Sequence, residues 1–141
     1  MMTPADLIWN RACEGGGPDQ RSGDRALAAL LLAHGLTMNG GLLHAVECLT
    51  PPEISAAESG YRFFGLDSVA NLIARARRVS DTDDLDSLES LLDGEYAALI
   101  PDDSVLLERF EEHLRSHPFD FAPCDRRGSS QGERDAQGDR G

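Results

Sequence analysis

Helix punctuation recurs along this chain and leaves little room for a sheet. Thr50-Pro51-Pro52-Glu53 is a capping box, with a threonine at the cap, prolines where a first turn tolerates them and a glutamate three residues on. Ile54, Ala57, Tyr61 and Phe64 follow at helical spacing, and Gly65 is placed to close the helix. Thr3-Pro4 offers a similar start for Leu7, Ile8 and Trp9, ended by Glu14-Gly15-Gly16-Gly17-Pro18. Asp24 is expected to cap a helix bearing Leu27, Leu30 and Leu31 and stopped by Gly35. Asn39 is expected to cap a short one bearing Leu42, Leu43, Val46 and Leu49. Asp67 is expected to cap a helix with Val69, Leu72, Ile73 and Ala76 inward and Arg75, Arg77 and Arg78 in its last turn, where cations suit the helix dipole.

The later segments keep the same period. Leu85, Leu88, Leu91 and Leu92 predict an apolar stripe, with Asp86, Glu89 and Asp93 on another face. Gly94 is expected to break or bend that helix, leaving a short further one over residues 95–100. Pro101-Asp102-Asp103 starts a final helix with Leu106, Leu107, Phe110 and Leu114 toward the core and Glu108, Glu111 and Glu112 outward. Pro118 ends it, and Phe119 and Phe121 are expected to fold back. No run of alternating β-branched residues competes. The chain therefore reads as all-α, a single compact domain of about six to seven helices. Residues 1–122 are expected to form this acidic helical domain. Residues 123–141, rich in Arg, Asp, Gly, Ser and Gln, are expected to be a disordered tail, because they have too little apolar surface to offset the entropy of ordering.

Charge narrows the function. Residues 81–112 hold twelve acids and one arginine, a balance of −11 out of −12 for the chain. Such a face repels nucleic acid and attracts basic proteins. Glu108 stands three and four residues from Glu111 and Glu112, so like charges repel at about 0.2–0.5 kcal/mol a pair. Arg115 is spaced to answer Glu111 and Arg109 to answer Glu112, but nothing is spaced to answer Asp86, Glu89 and Asp93. Carboxylates one helical turn apart approach a phosphate spacing. The expected protein-binding residues are therefore Asp84, Asp86, Glu89, Asp93, Glu108, Glu111 and Glu112. The expected partner is a basic protein, such as a DNA-binding transcription factor or a toxin, with no direct nucleic-acid contact, no cofactor and no membrane. The pattern does not set the oligomeric state, a homodimer being one option.

Other motifs read more plainly as structure. His113 and His117 share a helix face, but no further zinc ligands are suitably spaced. Cys48 lies one turn from His44, an arrangement open to a Cys/His hydrolase, yet no third orienting group is visible. Asn39-Gly40-Gly41 could cradle a phosphate, but it matches neither glycine-rich phosphate pattern, and the chain has no lysine. Arg75, Arg77 and Arg78 are expected to pair with the acidic segment at least as readily as with phosphates. Three cysteines without a C-x-x-C pair, and an N-terminus without a basic or apolar leader, point to a reducing cytoplasm, and the lack of a catalytic constellation in the sequence points to a non-enzymatic protein.

Asn39-Gly40-Gly41-Leu42, the run Gly60-Tyr61-Arg62-Phe63-Phe64-Gly65-Leu66, and the ending from Leu107 to Pro118 resemble the bacterial DNA-mimic-protein-like family. These are small acidic all-helical domains, mostly of unknown function. The similarity spans about residues 24–121, and Leu42 stands where the family typically has an aromatic. The resemblance implies a protein that binds a helix-turn-helix regulator and keeps it off its operator. Relatives beside toxin genes imply an alternative, an immunity protein that neutralises a toxin.

Overall fold

The computed structural model describes residues 2–79 and 85–124. Those residues form α1 (Pro4–Cys13), α2 (Ser22–Gly40), α3 (Leu42–Cys48), α4 (Pro51–Phe63), α5 (Asp67–Arg77), α6 (Leu85–Leu99) and α7 (Asp103–Ser116), then a 3-10 turn, Pro118–Asp120. The fold is all-α in one compact body. The expectation for the tail lies outside the described residues from 125 onward.

The local start signals act as read at two places. The Thr3 hydroxyl accepts from the Asp6 N–H at 3.1 Å while Asp6 accepts from the Thr3 N–H at 3.0 Å. Thr50 and Glu53 do the same at 3.3 and 2.8 Å. Gly65 closes α4, its N–H donating to Arg62 O while the Leu66 N–H reaches Tyr61 O at 2.8 Å.

Elsewhere tertiary packing overrides punctuation. Gly35 does not stop α2, which runs on to Gly40. A mid-helix glycine costs about 1 kcal/mol, less than the burial of Leu30, Ala33, His34 and Thr37 on the inward face contributes. Asn39 lies inside that helix and caps nothing. Gly94 does not break α6 either, because Leu92, Tyr96 and Ile100 continue one buried stripe across it. Leu85 and Leu91 point outward, 41 and 57 % exposed, so the expected leucine stripe narrows to Leu88 and Leu92. Asp67 is the first residue of α5 and not its cap. Phe121 folds back as expected, but Phe119 stays 85 % exposed.

Asp24 is not the cap of α2. It sits one turn in, at the place of a capping-box glutamate, and accepts from the Arg21 N–H at 2.9 Å. Its carboxylate is almost wholly buried and also takes the Arg11 guanidinium and the Ala122 N–H, each at 2.7 Å. Arg11 in turn donates to Ala122 O at 2.9 Å. One buried ion pair thus ties α1 and α2 to the chain after the last turn; removing one partner of such a pair costs about 3–5 kcal/mol.

α2 is the central helix and packs on α1, α3 and α4. Gly60 lets α4 lie close on it, since a Cβ there would come 2.5 Å from Ala26 O. α5 leans on α3 and α4, and α6 on α3 and α5. α7 closes the other side through an aromatic cluster, where Phe110 meets Trp9 at 5.8 Å, Phe121 at 5.4 Å and Phe64 at 6.4 Å between ring centres.

Candidate functional site

The predicted acidic residues divide by their surroundings. Asp84 lies outside the described residues. Asp86 and Glu89 are exposed near the start of α6, Glu108 and Glu112 are exposed on α7, and Glu111 is half-buried. Among the described residues none of these five enters an ion pair, and the expected answers from Arg115 and Arg109 are not made.

Asp93 is different. Its Oδ1 accepts from the Leu42 N–H at 2.9 Å, across 51 residues of sequence. α3 begins there behind Gly41, whose φ of 97° suits glycine and whose missing side chain leaves room for Asp93 Oδ2, 2.9 Å from where a Cβ would stand. The Asn39-Gly40-Gly41-Leu42 element does present a backbone N–H to an anion, and the chain itself supplies that anion.

The arginine cluster also turns inward on the protein. Arg75 holds Glu95 with two hydrogen bonds of 2.9 and 2.8 Å, and Arg77 holds Glu58 at 2.8 Å. The hydrogen bonds from Arg75 keep the Glu95 carboxyl below the usual glutamate range. On α7, Asp102 caps the helix through the Ser104 N–H at 2.8 Å, and its bonds from Ser104 lower its pKa.

A hydrogen-bonded chain that sequence reasoning missed crosses the core. Asp103 Oδ1 lies 2.8 Å from His34 Nε2, His34 Nδ1 lies 2.7 Å from Tyr96 Oη, and Tyr96 Oη lies 2.7 Å from Tyr61 Oη. A carboxylate can only accept, so Nε2 carries the hydrogen that Asp103 takes. With neutral imidazole the remaining order follows: Tyr61 donates to Tyr96, Tyr96 to His34, and His34 to Asp103. Four helices, α4, α6, α2 and α7, are joined in this row. Burial, before any other cause, raises both phenols well above the ordinary tyrosine value. No local signal announces the row, because its members stand 35, 62 and 69 residues apart.

Asp103 and His34 also border a groove of about 600 Å³ between α1 and α2, walled by Trp9, Leu31, Leu32 and Leu36. The Cys13 thiol beside it is raised by burial and then by the negative charges of Glu14 and Asp103.

The remaining candidates are built as structure. His113 Nε2 meets Asp120 at 2.7 Å, and its ring stacks on His117 with centres 4.8 Å apart. No group of three or more His, Cys, Asp or Glu among the described residues is arranged to hold a metal. Cys48 is exposed, with Sγ 3.7 Å from His44 Nδ1 and 3.6 Å from Nε2. That near-equal spacing favours neither lone pair, so it is a poor geometry for drawing off the thiol proton. Among the described residues no helix is long and apolar enough to cross a membrane.

The family model of DMP19-like proteins matches residues 20–125, which spans α2 to α7 and the segment that Asp24 fixes. The chain belongs to the DMP19-like protein family. No curated protein and no solved structure matches it. The matched region includes both acidic helices and the Asp93–Leu42 contact of this DMP19-like domain, whereas α1 with Trp9 precedes it.

Proposed function

We propose that this DMP19-like protein is a non-enzymatic acidic decoy that docks a basic DNA-binding regulator in place of DNA. The observation that carries the reading is the set Asp86, Glu89, Glu108 and Glu112, exposed and without an ion pair among the described residues, in a chain of net charge −12. Unpaired exposed carboxylates are free to meet the arginines and lysines that a regulator presents to phosphates. Glu111, half-buried, shares α7 with Glu108 and Glu112, and Asp84 lies outside the described residues. Asp93 contributes by fixing α3 against α6, because its carboxylate is already engaged. Charge on such a surface mainly speeds association and makes it salt-sensitive.

The test is an affinity pull-down from native cell extract over a salt series, followed by kinetics on the captured protein. Retention of a DNA-binding protein that is lost as salt rises, and that competes with its DNA, supports the reading. Capture unaffected by salt, or by Glu108→Gln with Glu112→Gln, removes it.

A further inference from the structure

The groove between α1 and α2 is unexplained by the acidic helices. Its lining is mostly apolar, with His34, Cys13 and Asp103 the exceptions; Leu32 is 47 % exposed, and the half-buried Trp9 lines the groove with its ring tilted against Phe110. Its volume lies in the range of sites that bury a ligand or an anchoring side chain. Its one lining carboxylate is Asp103, whose side chain is 75 % exposed and which uses Oδ1 for His34. Glu14 stands between Cys13 and Gly15, both of which line the groove, and no arginine among the described residues lines it. Gly35 is exposed in the middle of α2, and a Cβ there would meet nothing within 4 Å. Among the described residues no contact requires glycine at that position, although glycine is a poor helix former. Its effect is to leave the groove wall open to the close approach of another backbone.

We infer that this groove is a docking site for a basic amphipathic helix of a protein partner, which lays an apolar side chain between Trp9 and Leu32 and a neighbouring lysine or arginine on Asp103 and Glu14. Charge selects this occupant. An anionic ligand would meet two carboxylates and no cation. A second copy of the chain would bring the same acids to the same mouth. The groove reading stands apart from the acids of the late helices: Trp9, Ala12 and Cys13 of its lining come from α1, outside the family-matched residues, and most of the rest comes from α2.

Trp9 is the only tryptophan in the chain, so its emission reports this groove directly. The full chain is titrated with a synthetic leucine–lysine amphipathic helix, and in parallel with a leucine–glutamate helix of the same apolar face. The expected result is a saturable blue shift of Trp9 with the lysine peptide alone, weakened by salt. Gly35→Leu replaces the poorest ordinary helix former with a good one, so it should raise thermal stability while filling the groove and reducing affinity about tenfold or more. Asp103→Asn keeps an acceptor for His34 but removes the charge, and should weaken the lysine peptide and flatten its salt dependence. Asp86→Asn with Glu89→Gln should leave the Trp9 titration unchanged. Five outcomes would overturn the assignment: no saturable shift, equal binding of the glutamate peptide, an unaffected Gly35→Leu variant, loss of the shift in the α6 variant, or a Trp9 shift driven by protein concentration alone, which would make a second copy the occupant. Loss of the shift in the α6 variant would move the basic peptide onto the acidic helices; the other four outcomes leave regulator binding there untouched.

Discussion

Each half of α6 carries two acids, Asp86 and Glu89 over residues 85–92 and Asp93 and Glu95 over residues 93–99. In the second half both are engaged within the protein, Asp93 with the Leu42 N–H and Glu95 with Arg75, and Tyr96, next after Glu95, is bonded to His34 and Tyr61. In the first half both are exposed and outside any ion pair among the described residues. The helix is thus anchored at one end and offers its charge at the other. Acid density in a sequence counts carboxylates; it does not say how many remain available to a partner.

The comparison is broken most severely at Tyr96. Tyr96→Phe leaves His34 Nδ1 without its donor and the buried Tyr61 hydroxyl without its acceptor, so it should cost about 2–4 kcal/mol in urea unfolding. Leu91→Ala on the outward face of the same helix should cost far less. The phenols also set a sign for pH. Their folded pKa values are raised, so this stability is fully present below the unfolded tyrosine pKa of about 10 and is lost as pH rises beyond it toward the folded values. The alkaline fall in melting temperature should be shallower in Tyr96→Phe than in the parent chain. Asp93→Ala comes next. It removes the acceptor for the first N–H of α3 and should cost about 1 kcal/mol, with Asp93→Asn recovering part of it. Glu95 follows, read by carboxyl-carbon NMR. Held by Arg75, it should titrate below the ordinary glutamate range. Its contribution is then present above the unfolded glutamate pKa of about 4.3 and lost as pH falls through the lowered one.

Much of the anchoring half was hidden from the sequence for one physical reason. Caps at Thr3 and Thr50 and the apolar repeats of α4 and α5 were legible because each involves residues within a turn or two. Gly35 and Gly94 look like helix ends and are not, since a glycine shows its local cost in the sequence and its buried neighbours only in the fold. Asp93 was grouped with Asp86 and Glu89 on spacing alone, while its partner lies 51 residues away. Nothing near His34 in sequence points to Tyr96 or Asp103, which lie 62 and 69 residues away. The exposed acids of α6 and α7 were legible, because exposure follows from the period of the apolar stripe they avoid.

The smallest expected effect on stability is the sharpest for function. Asp86→Asn with Glu89→Gln keeps side-chain size and shape and touches no contact made by the core. Asp86 in the first turn favours the positive end of the helix dipole, so its loss should cost a few tenths of a kcal/mol at most, and Glu89 should add nothing measurable. Thermal melting should therefore place the double variant within about 0.5 kcal/mol of the parent chain. Association with a basic partner should nevertheless slow, and its salt dependence should flatten, because two charges have left the outward half of α6. Asp93→Asn, tested beside it, should show the opposite balance: a larger loss in melting and little change in the salt slope. If the two variants exchange these signatures, the division of α6 into an anchored half and an offered half is wrong, and its carboxylates act as one surface. If neither alters association, the outward acids of α6 serve solubility alone, and the docking charge must be sought on α7 or elsewhere on the molecule.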